Sequence, residues 1–185
     1  MKVKSRRKAR EAALQALYEI DLSGTSVSDA LKRESASHEL GPEQAQYLER
    51  LVRGAWANHE VLDRGLAALL EEYDFDRLAA VDRNVLRLAA FEIEYVPSVP
   101  PAVTIDEAIE IAKKYSTAES GRFVNGVLGK FLRQSVKKDW DPRSVPEEEE
   151  PVAEVEELAV EVEVVPEDAP ELSMSQKVGP WTTRS

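Results

Sequence analysis

The sequence predicts an all-α fold: a compact bundle of about six or seven helices over residues 1–140, followed by a disordered acidic tail over 141–185. Three observations carry this reading. Apolar residues recur with the period of a helix in one segment after another. No stretch before residue 140 sustains a period-two alternation between turn signals. Prolines and glutamates then crowd the remainder of the chain.

The first helix follows Ser5, a good N-cap residue, and sets Ala9, Ala12, Ala13, Ala16, Leu17 and Ile20 on one stripe. It should stop near Ser23 and Gly24. A shorter helical segment covers Val27 to Lys32. Pro42 suits a first helical position, and Ala45, Leu48, Val52, Ala55 and Trp56 continue the period. Asn58 can cap the next helix, which carries Leu62, Leu66, Leu69 and Leu70. Beyond the acidic turn Asp74 to Asp76, a dense apolar run holds Leu78, Val81, Val85, Leu86, Ala89, Phe91 and Ile93. The prolines between Val96 and Pro101 must break it. The restart has the signature of a capping box, Thr104 with Glu107, and a hydrophobic staple, Val103 with Ala108. Ile105, Ala108, Ile109 and Ala112 then face the core. A last helix carries Val124, Val127, Leu128, Phe131 and Leu132 and fades after Lys138. From Pro142 on, the chain gathers too little apolar surface to offset its ordering entropy. Val160 to Val165 partly alternates with glutamate but has no partner strand.

A formal charge of −11 argues at first against nucleic acid. The charge is unevenly placed: residues 1–140 hold 21 Lys or Arg against 22 Asp or Glu, and residues 141–185 hold 3 against 13. The first ten residues carry Lys2, Lys4, Arg6, Arg7, Lys8 and Arg10 and no acid. There is no cysteine, which excludes disulfides and thiolate metal sites and fits a cytoplasmic protein. The basic start runs into Glu11, Gln15, Glu19 and Asp21, unlike a signal peptide. No apolar stretch reaches the roughly 18 residues of a membrane span.

Beside the core stripe of the first helix runs a second one, Arg7, Arg10, Leu14 and Tyr18. Guanidiniums fork onto phosphates and an aromatic face stacks an unpaired base, the two ingredients of single-strand RNA recognition. The plainer reading is a solubilising basic terminus with a tyrosine at the core edge, and these residues alone leave both open. If all six early cations met phosphates of single-stranded RNA, log affinity would fall with log salt at a slope of about −4. A stacked base would add about 1–3 kcal/mol.

Gly121 and Gly126 have the spacing of a phosphate-binding loop, but Val127 and Leu128 stand where that loop needs Lys and Ser or Thr. Glycine inside a helical period costs about 1 kcal/mol, so Gly126 and Gly129 imply close helix packing. Arg122, Phe123 and Asn125, early in that helix, read equally well as ligand-facing. His38 and His59 lack a metal-ligand partner in sequence, and no carboxylate pair has a spacing that singles it out for catalysis. No cofactor is expected, and the chain does not read as an enzyme.

Arg6-Arg7-Lys8-Ala9-Arg10-Glu11, continuing through Gln15-Ala16-Leu17-Tyr18, resembles the arginine-rich opening helix of the NusB family. Ile105 through Tyr115 and Phe123-Val124-Asn125-Gly126-Val127-Leu128 resemble its two closing helices, and Val85 through Ala89 is similar to the helix before them. The likeness spans about residues 3 to 135 in order, and the Phe-Val-Asn-Gly-Val-Leu run is its most specific part. It implies a helical bundle that pairs with NusE, a small ribosomal-subunit protein. The pair binds boxA RNA within the RNA polymerase antitermination complex and supports transcription of ribosomal RNA operons. By the same resemblance Lys2, Lys4, Arg6, Arg7, Lys8 and Arg10 contact RNA, with Tyr18 where RNA and partner surfaces meet. Arg122, Phe123 and Asn125 extend the RNA surface, and Asp82 contacts NusE. Self-association into a homodimer is a further implication. The acidic tail departs from the family's short ending, and a chain of that charge could compete with RNA for the basic helix.

One rival follows from the residues and one from the resemblance, since NusB-like domains also occur fused to RNA methyltransferase domains. One is a helical protein-interaction adaptor without specific RNA binding. The other is an RNA-modifying enzyme, which lacks a second domain or a glycine-rich cofactor loop here.

Overall fold

A computed structural model describes the backbone of residues 3–71 and 73–144 and the side chains of 6–71 and 73–143. Among the described residues there are seven α-helices: α1 (Val3–Ser23), α2 (Val27–Ser37), α3 (Pro42–Ala57), α4 (His59–Ala67), α5 (Ala80–Tyr95), α6 (Pro101–Tyr115) and α7 (Ala118–Gln134). Short 3-10 turns occur at Phe75–Arg77 and Pro142–Ser144. The all-α architecture expected from periodicity is thus the one observed. The rest of the expected tail, including Val160 to Val165, lies outside the described residues.

The bundle is built around α5. Every residue from Asn84 to Ile93 is buried, because α1, α3, α4, α6 and α7 all pack on this helix. A helix that is apolar all round belongs in an interior. Its three polar residues in that span are buried only with partners. Arg87 forks onto Asp63 (2.7 and 2.6 Å) and pairs with Asp21 (3.0 Å). Asn84 donates to Asp21 (3.0 Å). Glu92 belongs to the network described below.

The alanine stripe of α1 lets its neighbours close in, and Ala9, Ala12, Ala13 and Ala16 are all fully buried. α1 ends where expected, with Gly24 at φ +65°, a left-handed conformation that costs glycine nothing. Helix α2 runs through Ser37, longer than its first turn of apolar residues suggested, and is capped by Ser26, whose hydroxyl accepts from the Asp29 N–H (3.1 Å). Asn58 stands at the α3–α4 junction, but its side chain donates to the Gly54 carbonyl (2.8 Å) and does not cap α4.

Further expectations are corrected. Ser5 is no N-cap, since α1 is already helical from Val3. Helix α6 starts at Pro101, not at Thr104: proline at N1 loses no hydrogen bond and has its φ preset. That frees Thr104 and Glu107, both buried, for contacts with other helices. Ile105 and Ile109 are only half-buried. Finally, close packing is not found at Gly126 or Gly129, where an added Cβ would meet nothing within 4 Å. It is found at Gly54, where a Cβ would collide with the Phe91 ring.

After α7 the chain is fastened to the end of α5. The buried Lys137 ammonium donates to the carbonyls of Glu92, Val96 and Val99, and Trp140 Nε1 donates to the Pro97 carbonyl (3.0 Å). A cation over the last carbonyls of a helix suits the negative end of its dipole.

Candidate nucleic-acid interface

The opening helix divides its cations by direction. At about 100° per residue, Arg10 is turned about 60° from Arg7 toward the alanine stripe. Arg7 and Lys8 are exposed, Arg6 is half-buried, and Arg10 is only 3% exposed. Arg10 is therefore corrected from a surface ligand to a core residue, and Leu14, its neighbour on the expected second stripe, is buried as well. Tyr18, two turns farther, keeps 40% of its surface exposed. Lys8 forms no ion pair among the described residues. Lys2 lies outside the described residues, and the Lys4 side chain is likewise outside them.

Beneath α1 lies a polar network that joins four helices. Arg10 Nε donates to both oxygens of Glu92 (2.9 and 3.1 Å). Glu92 also accepts from the Tyr47 hydroxyl and from Thr104 Oγ1 (2.5 Å). A second carboxylate, Glu107, receives a fork from Arg7, Nε to Oε2 at 2.8 Å and Nη2 to Oε1 at 2.7 Å. Arg10 Nη1 stands 3.8 Å from that same Oε2, an ion pair without a hydrogen bond. The Arg6 and Arg10 guanidiniums lie 5.1 and 5.8 Å from the centre of the Tyr47 ring, within cation–π range.

The titration of these groups follows from the geometry. Burial alone would lower the Arg10 pKa, but the Glu92 charge, with Tyr47 and Glu107, outweighs it and leaves the guanidinium more firmly charged than usual. Arg7 is raised chiefly by its hydrogen bonds to Glu107 and then by that carboxylate's charge. Burial, followed by the Glu92 charge, pushes the Tyr47 phenol up.

The second group of expected residues lies on α7. Arg122 and Asn125 are exposed, with no side-chain hydrogen bond or ion pair among the described residues. Phe123 is half-buried and meets Tyr73 edge to face, 5.8 Å between centroids. Helix α6 links this group to α1. Lys114 and Tyr115 bond Glu11 (2.7 and 3.0 Å), while Lys113 lies against Gly121 of α7. Asp82 does not stand free: its Oδ2 accepts from Ser120 Oγ (3.0 Å) and its Oδ1 is buried without a partner among the described residues.

The residues that sequence reasoning missed are Tyr47, Glu92, Thr104 and Glu107. One signal was available, a glutamate at a core position inside the apolar run of α5. An acid there demands a buried cation, and Arg10, at the edge of an apolar stripe, was the matching one.

Among the described residues no group of His, Asp and Glu could hold a metal ion, and no helix is long and apolar enough to cross a membrane. The NusB family model matches residues 7–133. The transcription antitermination protein NusB of Symbiobacterium thermophilum is 48% identical over 137 residues, covering 70% of this chain and 90% of that protein. Among solved structures, T. maritima NusB superposes with a TM-score of 0.68 at 36% identity, covering 72% of this chain and 94% of that one. A chain of the crystal structure of antitermination factors NusB and NusE in complex with dsRNA gives 0.66 at 30% identity, covering 71% and 98%. By extent of match and by fold, this chain belongs to the NusB family.

Proposed function

We propose that the chain is a transcription antitermination factor that acts by stoichiometric RNA binding. Its RNA is boxA, held jointly with NusE in the RNA polymerase antitermination complex, in support of ribosomal RNA operons. The observation that carries this reading is the outward side of α1, where Arg7 and Lys8 are exposed and Tyr18 keeps 40% of its surface free. Cations and a ring on one helix side provide phosphate contacts and a stacking face. Arg122, Phe123 and Asn125 extend the surface across α6, and Tyr18 with the Asp82 region meets NusE. Support comes also from the similarity to the chain solved with NusE and dsRNA.

The direct test mixes the full chain with NusE and a boxA oligonucleotide on a sizing column. A ternary complex that a scrambled oligonucleotide fails to form is the expected result. The adaptor reading gains from the withdrawal of Arg10 into the core, and it predicts a complex with NusE that ignores RNA.

A further inference from the structure

We propose that Glu107 is a positioning residue for RNA recognition: from beneath α1 it holds the Arg7 guanidinium in one orientation before RNA arrives, and so sets specificity more than affinity. The inference rests on the RNA-binding reading above and deepens it. Glu107 is only 5% exposed, whereas the Arg7 side chain is 50% exposed. The fork uses Arg7 Nε–H and one Nη2–H, which leaves the Nη1 group and the other Nη2–H for a ligand. Arg10 stands 3.8 Å from the inner side of the same carboxylate and is itself fixed by Glu92, so the support is rigid down to α5 and α6.

Stability does not explain this construction. A half-exposed arginine–carboxylate pair contributes little, and burying Glu107 with the Arg10–Glu92 pair carries a desolvation cost that an apolar cluster would avoid. What the arrangement supplies is an arginine whose rotamer freedom is already spent, so less is lost on binding. It also partly neutralises Arg7, which weakens indiscriminate attraction to phosphate. An oriented planar fork with damped charge favours contacts of defined geometry over contacts to any backbone.

Glu107→Gln keeps the shape, turns an amide N–H₂ toward Arg7 and breaks the fork. The full-length variant is expected to bind a boxA oligonucleotide with a salt slope steeper by about 0.7, one more phosphate. Its preference for boxA over a scrambled RNA of equal composition should fall about tenfold, the scale of one lost oriented contact. In an Arg7→Ala background the same change should have no further effect, because Glu107 acts through Arg7. Undiminished preference in Glu107→Gln, or an equal loss in the Arg7→Ala background, overturns the proposal alone. A parent protein without preference removes the functional reading as well. Should the variant fold poorly, side-chain nitrogen relaxation of the free parent decides: Arg7 Nε as rigid as Arg10 Nε is expected, and a freely rotating Arg7 overturns the assignment.

Discussion

Arg7 and Arg10 stand three residues apart on one helix and face opposite environments, Arg7 exposed and Arg10 buried. Arg10 is a buried counter-ion, so Arg10→Met should destabilise the protein by about 3–5 kcal/mol in urea unfolding, because the buried Glu92 loses its cation. Arg7→Ala should cost about 1 kcal/mol or less while weakening RNA binding. Equal stability losses would contradict this division. A third acid, Asp21, supplies a pH dependence. Its burial alone would raise the carboxyl pKa, but hydrogen bonds from Arg83, Arg87 and Asn84 reverse that and hold it below the ordinary value. A depressed folded pKa means stability present above the unfolded pKa of about 3.9 and lost as pH falls through the folded value. The melting temperature should therefore decline below about pH 4, and Asp21→Asn should blunt that decline.

At the scale of elements, the helices were legible because periodicity survives any arrangement of neighbours. Pro42 and Gly24 marked their boundaries correctly because proline and glycine act through their own backbone. Thr104 and Glu107 misled because their side chains bond across to Glu92 and Arg7, and a capping signature cannot show a competing tertiary partner. The glycines misled for the same reason. Gly54→Ala should destabilise by about 1–3 kcal/mol through overpacking against Phe91. Gly126→Ala, in open space on α7, should stabilise by about 1 kcal/mol. Thermal melts of the two variants should move in opposite directions.

For the molecule as a whole, the family and fold were readable from ordered motifs, whereas the division of the basic helix into buried and exposed cations was not. Which arginine faces inward depends on Glu92 and Glu107, brought beneath α1 from α5 and α6. With Arg10 withdrawn from the cation count, RNA binding to the opening segment should show a log–log salt slope no steeper than about −3.5 instead of about −4. The most direct test of the central claim is that slope, measured by fluorescence anisotropy on a boxA oligonucleotide for the parent and for a Lys4→Ala, Lys8→Ala double variant. The slope should flatten by about 1.4 in the variant, two phosphate contacts; binding that is insensitive to salt, or a slope unchanged by the substitutions, would overturn the claim.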